Sequence, residues 1–230
     1  MLEIRIAFRS VPDAEASAAI EAAQQGFFEL ANAGALCGAA IAPEQSGIGE
    51  VAVSHRGPVI TWRYSQVWID PHCLTIVVNL VHRLHEKVLP VVDLHIDWEM
   101  TTHVADPSQL RFPAQRVAVP FDVRIENDSA AFDIVLDFAG PQSPEKVEAA
   151  ADLVGAWFTA VNLGAYGDES SPAPVNRVLF ATEPITVCDD ALVWYLDRWA
   201  STPFALDGLV NVVGRIDRRC APIVALEVAE

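Results

Sequence analysis

Apolar and polar side chains alternate from the start of this chain. Leu2, Ile4, Ile6 and Phe8 fall on one side of an extended run, and Glu3, Arg5 and Ala7 on the other. That period of two predicts a strand with one buried face. After Pro12-Asp13 the period lengthens. Ala16, Ile20, Ala23, Phe27 and Leu30 are spaced by three and four residues and predict a helix ended by Gly34 and Gly38. Two strands follow, Val51 to Ser54 and Val59 to Val67, with His55-Arg56-Gly57-Pro58 as the turn between them. Asp70-Pro71 then supplies an N-cap acceptor and a proline suited to a first helical turn. Leu74, Val77, Val78, Val81 and Leu84 form the stripe of that second helix, Pro90 stops it, and Val92, Leu94, Ile96 and Trp98 alternate as a last strand. The order is β-α-β-β-α-β, the split βαβ pattern of ferredoxin-like folds.

The second half repeats the first. Ile4, Ile6 and Phe8 return as Ile134, Leu136 and Phe138, an offset of 130 (138 − 8). The same offset carries Asn32, Gly34 and Ala35 onto Asn162, Gly164 and Ala165. Further on the offset is 132 (211 − 79), and it maps Trp62 onto Trp194, Asn79 onto Asn211, Arg83 onto Arg215 and Leu94 onto Leu226. A spacing held across helical and extended segments marks an internal repeat. Phe132 to Phe138, Arg177 to Ala181, Ala191 to Trp199 and Ile223 to Val228 are the expected strands. Ser143-Pro144 and Thr202-Pro203 open the expected helices. The expected fold is α+β: a tandem duplicated ferredoxin-like arrangement, βαββαβ twice, with antiparallel sheets and helices on one face of each. The units would be residues 1–99 and 131–230. Residues 100–130 would be a linker whose alternating Val117 to Ile125 forms one more strand, turned by Asn127-Asp128-Ser129 into a hairpin against Phe132 to Phe138.

Architecturally this pattern resembles fused dimeric α/β-barrel proteins, duplicated RNA-processing nucleases and two-histidine phosphoesterases. The phosphoesterases carry a His-x-Thr/Ser motif in each half, and here no histidine follows His103. Fold alone assigns no function.

Composition narrows the partners. The chain has 230 residues, 52% of them hydrophobic and 20% charged, enough for a packed core. A formal net charge of −16 opposes phosphate backbones and anionic membranes and favours a basic protein partner. The first residues lack the apolar run of a signal peptide, and apolar runs are interrupted short of a membrane span, as by Asn79. The expected location is cytoplasmic. Cys37, Cys73, Cys188 and Cys220 form no Cys-x-x-Cys pair and read as reduced thiols.

The candidate chemistry lies on the sheet face opposite the helices. Strand alternation places Asp93, His95, Asp97 and Glu99 together, with Glu3, Arg5 and Arg9 from the first strand and Thr61, Arg63 and Ser65 from the third. Arg5, Arg63, Asp93, His95, Asp97 and Glu99 form the candidate polar site. Such a cluster suits acid–base work or a metal, and equally a solvated, self-neutralising face. His82-x-x-His85-Glu86 is not the His-Glu-x-x-His of zinc peptidases. Cys73 stands in a first helical turn, where a thiol can be activated, but beside core positions. The loops Gly34 to Gly49 and Gly164 to Pro174 hold no lysine and no phosphate-binding spacing. No metal and no cofactor is therefore expected. Trp62 and Trp194 read as core; Trp68, Trp98 and Trp199 fall near strand ends and could rim a groove. The leading expectation is a non-enzymatic module that binds a basic protein, of the inhibitor or immunity type. The alternative is a small-molecule binder or enzyme with its pocket between the open faces of the two sheets. A third reading is homo-oligomerisation.

Overall fold

A computed structural model describes residues 1–38, 41–98, 116–126, 132–167, 185–187, 190–196 and 203–229. The fold is α+β. In chain order its elements are β1 (Leu2–Phe8), α1 (Ala14–Asn32), β2 (Val51–Arg56), β3 (Val59–Tyr64), α2 (Thr75–Lys87) and β4 (Val91–Trp98). There follow β5 (Asp122–Ile125), β6 (Phe132–Phe138), α3 (Pro144–Asn162), β7 (Ile185–Val187), β8 (Ala191–Leu196), α4 (Pro203–Arg219) and β9 (Ile223–Ala229). One sheet has the order β2-β3-β1-β4 and the other β5-β9-β6-β8-β7. Every neighbouring pair is antiparallel except β5 with β9, which is parallel.

Local chemistry explains the helix starts. The Asp13 carboxylate accepts the Ala16 N–H at 2.9 Å. Asp70 accepts the His72 N–H at 2.9 Å, with Pro71 opening a single 3-10 turn that leads into α2. Such a cap satisfies one of the orphan donors of a first turn. Ser143 holds the corresponding position before α3 with Pro144 at the first helical residue. Thr202 lies outside the described residues.

Alternation in β1 is obeyed: Leu2, Ile4, Ile6 and Phe8 are buried while Arg5 is exposed. The buried side of each sheet is covered by helices, and α1 also packs against α3. The helices therefore lie between the two sheets, and the polar sheet faces turn outward. Polar contacts cross this helical layer reciprocally. Asn79 Nδ2 donates to Ala165 O at 2.8 Å, and Asn211 Nδ2 donates to Ala35 O at 3.4 Å. Gly34 (φ 87°) and Gly164 (φ 82°) follow α1 and α3 in left-handed geometry that favours glycine. A Cβ on Gly34 would meet Arg215, and one on Gly164 would meet Arg83. Arg215 also donates to Pro43 O and Ser46 O, at 2.9 and 2.6 Å.

Several expectations are corrected. The extra strand does not form a hairpin with β6. Both edges of β6 are taken by β8 and β9, so β5 adds to the remaining edge of β9. β3 stops at Tyr64, because Gln66 adopts a positive φ of 49°. The strand pairing with β8 is Ile185–Val187; the expected Arg177 to Ala181 lies outside the described residues, as do Trp199 and Cys188. Val92 does not share the buried side of Leu94. The register skips it between Ala7 and Phe8, and this bulge leaves Val92 60% exposed. Trp98 rims no groove: it follows Ile96 into the core and is 4% exposed, whereas Trp68 is 58% exposed.

Candidate functional site

Backbone register builds the polar face of the first sheet as three rows across four strands. Arg56, Val59, Ala7 and Asp93 form one row. Ser54, Thr61, Arg5 and His95 form the next, and Ala52, Arg63, Glu3 and Asp97 the third. Residues directly opposite on neighbouring strands are close enough to interact, so each row is a line of potential contacts.

The structure thus brings Arg5, Arg63, Asp93, His95 and Asp97 onto one face; Glu99 lies outside the described residues. Arg63 Nε donates to Glu3 Oε2 at 2.6 Å, in a pair whose side chains are 48% and 27% exposed. Exposed pairs of this kind are worth about 0–1 kcal/mol. Arg5 stands between Thr61 and His95. Asp93 and Asp97 are exposed on the outermost strand and form no ion pair among the described residues. Arg9 lies past the end of β1, and Ser65 turns its hydroxyl to Glu50 O at 3.4 Å. Neither belongs to the face.

Two members of the face were not anticipated, Ser54 and Arg56. Arg56 was read as part of the turn, but β2 runs on to it and the turn shortens to Gly57-Pro58. Continuing the alternation from Ser54 would have found it. A depression of about 450 Å³ is lined by Arg5, Ser54, Arg56, Thr61, Arg63 and Asp93, among others.

The corresponding face of the second sheet carries Asp122, Asp133, Asp137, Glu227 and Arg124 among the described residues. Its rows include Val193, Val135, Glu227 and Arg124, with Arg124 and Glu227 paired at 3.0 Å. Asp137 lies on the same face, and burial, followed by Glu227 and Asp190, pushes its carboxyl above the usual range. Among the described residues the helices lie between the two sheets, and the two polar faces look away from one another.

His82 and His85 serve the helix surface and its junction with β4. Their rings stack with centroids 6.4 Å apart, and His82 Nε2 lies 3.2 Å from Glu86. His85 Nδ1 accepts the Val91 N–H at 3.1 Å. In the other half Asp217 accepts the Ile223 N–H at 2.9 Å in the same relation. Among the described residues no group of three or more His, Cys, Asp or Glu side chains could hold a metal.

The buried thiols are poor nucleophiles. Burial is the main cause that pushes Cys37 up to about 12, and burial likewise raises Cys73 well above its ordinary value. The sign follows. Below about pH 9, the ordinary thiol value, Cys37 is protonated folded or unfolded. Above it the unfolded chain releases a proton that the folded chain holds, so stability falls from pH 9 towards 12. Denaturant melts at pH 8 and pH 10.5 should show wild type losing more stability than Cys37→Ala; equal losses would contradict the assignment.

Neither protein-family models, nor curated proteins, nor solved structures yield a match to this chain.

Proposed function

We propose that the chain is two ferredoxin-like units in tandem, residues 1–99 and 131–230, and that it binds a basic protein through the acidic outer strand of the first unit without turning over a substrate. The two sheet orders, β4-β1-β3-β2 and β9-β6-β8-β7, correspond strand for strand and support the tandem reading. The observation that carries the functional reading is the exposure of Asp93 and Asp97 on β4, an outermost strand, in a chain of net charge −16. Exposed carboxylates held in no ion pair project their field into solvent and steer a cationic partner.

The test is kinetic. A partner isolated with the full chain is measured against wild type and Asp93→Lys/Asp97→Lys as salt is raised. Wild-type association should slow with salt, and the double reversal should slow it about tenfold at low salt without unfolding the chain. Salt-insensitive association, or an unchanged rate in the reversed variant, would contradict the reading.

One observation favours a second reading. Arg5 and Arg56 form no ion pair among the described residues and line the depression on the same face beside the hydroxyls of Ser54 and Thr61, with Glu3 and Asp93 also in its wall. Two guanidinium groups and two hydroxyls are suited to a small anion. A small anionic molecule retained in native mass spectrometry and lost in Arg5→Ala/Arg56→Ala would favour it.

A further inference from the structure

The two halves differ at one matched place. In the second half, residues 117–125 run over α4 and along the edge of β9. The Val117 N–H donates to Asn211 Oδ1 at 3.0 Å. Val119 lies against Gly214, where an added Cβ would come 3.2 Å from its methyl. Phe121 is 8% exposed, Val123 and Ile125 pack on the core, and β5 pairs with β9. The Glu126 N–H donates to Val228 O at 2.8 Å, continuing that ladder.

Subtracting 132 (211 − 79) gives the same place in the first half, and there no described segment fills it. A groove of about 260 Å³ remains beside β4, with Val78, Val81, Val91 and Leu94 in its wall. Val210 and Leu226 are fully buried, but their counterparts Val78 and Leu94 are only half-buried. Asn79 Nδ2 is engaged with Ala165 O, while its Oδ1 has no partner among the described residues. Asn211 Oδ1 holds a strand-leading N–H in that position. No strand among the described residues pairs with the outer backbone of β4. The Phe8 N–H donates to Pro58 O at 2.9 Å, so even-numbered β1 residues turn their peptide groups toward β3. Leu94 and Ile96, opposite Ile6 and Ile4, then turn theirs outward.

We propose that this groove and edge bind an extended segment of the partner protein, parallel to β4, with apolar side chains at alternate positions and basic side chains between them. The proposal rests on the protein-binding reading above and specifies its mode, strand addition to an open sheet edge. Charge selects the occupant. On β9 the residue opposite Asp122 is Ala225, and on β4 the counterpart of Ala225 is Asp93. The 117–125 segment of a second copy would set Asp122 against Asp93, whereas a basic residue there would be attracted, as Arg124 is to Glu227. His82 stands where Gly214 admits Val119, so the incoming residue at that point is small.

The experiment uses the full chain and two fluorescent peptides. One copies residues 117–126; the other replaces Asp122 and Glu126 with arginine and Val119 with alanine. Anisotropy should show saturable binding of the arginine peptide, at least tenfold tighter than the unaltered copy and weakening as salt rises. Val78→Trp should weaken it at least tenfold, and His82→Gly should strengthen it. The glycine variant keeps the test decisive if the tryptophan variant misfolds. Tighter binding of the unaltered copy would assign the groove to a second copy of this chain. No saturable binding, or binding indifferent to both variants, would overturn the groove. A partner whose association still depends on Asp93 and Asp97 but not on Val78 or His82 would leave the acidic-surface reading standing alone.

Discussion

Trp62→Ala and Trp194→Ala are each expected to destabilise the fold by about 3–5 kcal/mol, the range for truncating a large buried aromatic. Trp62 is 0% exposed and Trp194 2% exposed, on β3 and β8. They occupy matched rows, Trp62 opposite Ile4 and Trp194 opposite Ile134. Each therefore fills the layer between its sheet and its helices, where neighbours cannot collapse fully into the space left behind. The expectation for Trp194 draws on its contact with Phe158, whose ring centroid lies 6.2 Å away. Urea melts of the two variants check this. A loss below about 1 kcal/mol in either would show that side chain to be dispensable to packing.

Asn211→Ala should cost about 2–4 kcal/mol, and Asn79→Ala about 1 kcal/mol. Asn211 is 0% exposed and holds both the Val117 N–H and Ala35 O, so its removal leaves two polar groups to be satisfied elsewhere. Asn79 is half-buried, and its one described bond is to Ala165 O. The asymmetry is the informative part. Matched residues in matched helices should differ because only one of them also anchors the segment before β5. Equal losses in paired denaturant melts would show that this segment contributes little to the second half.

Much of this architecture was legible from periodicity. Leu2 to Phe8 and Phe132 to Phe138 alternate so strictly that strand, buried side and polar side all follow. Asp13 and Asp70 announced their helices by the chemistry of caps. The repeat offsets placed Asn79 with Asn211 and Arg83 with Arg215, but not the bonds that Asn79, Asn211 and Arg215 make across the helical layer. Periodicity reports which side of an element is buried, not which element lies beyond it. The same limit explains β5. Alternation marked Val123 and Ile125 as strand residues, yet the choice between β6 and β9 depended on which edge remained open. It also explains the outward orientation of the sheets, which arises where α1 meets α3.

The polar face followed the same division. Asp93, His95 and Asp97 were placed by alternation alone. Arg56 was missed because a strand end and a turn start look alike when glycine and proline follow. Val92 was misplaced because a bulge breaks the period without a residue type that signals it. The groove beside β4 could not be seen in either half of the sequence. It emerges from comparing an occupied place with a counterpart that no described segment fills.

Amide hydrogen exchange on β4 and β9 tests the central claim most directly, that the outer strand of the first sheet is the binding surface. In the chain alone, the Leu94 and Ile96 amides should exchange at least tenfold faster than those of Leu226 and Val228, whose edge carries β5. With the basic partner or the arginine peptide bound, Leu94 and Ile96 should slow at least tenfold while Leu226 and Val228 stay unchanged. Protection of Leu94 and Ile96 equal to that of Leu226 and Val228 in the chain alone, or binding that protects other strands and leaves β4 untouched, would contradict the account.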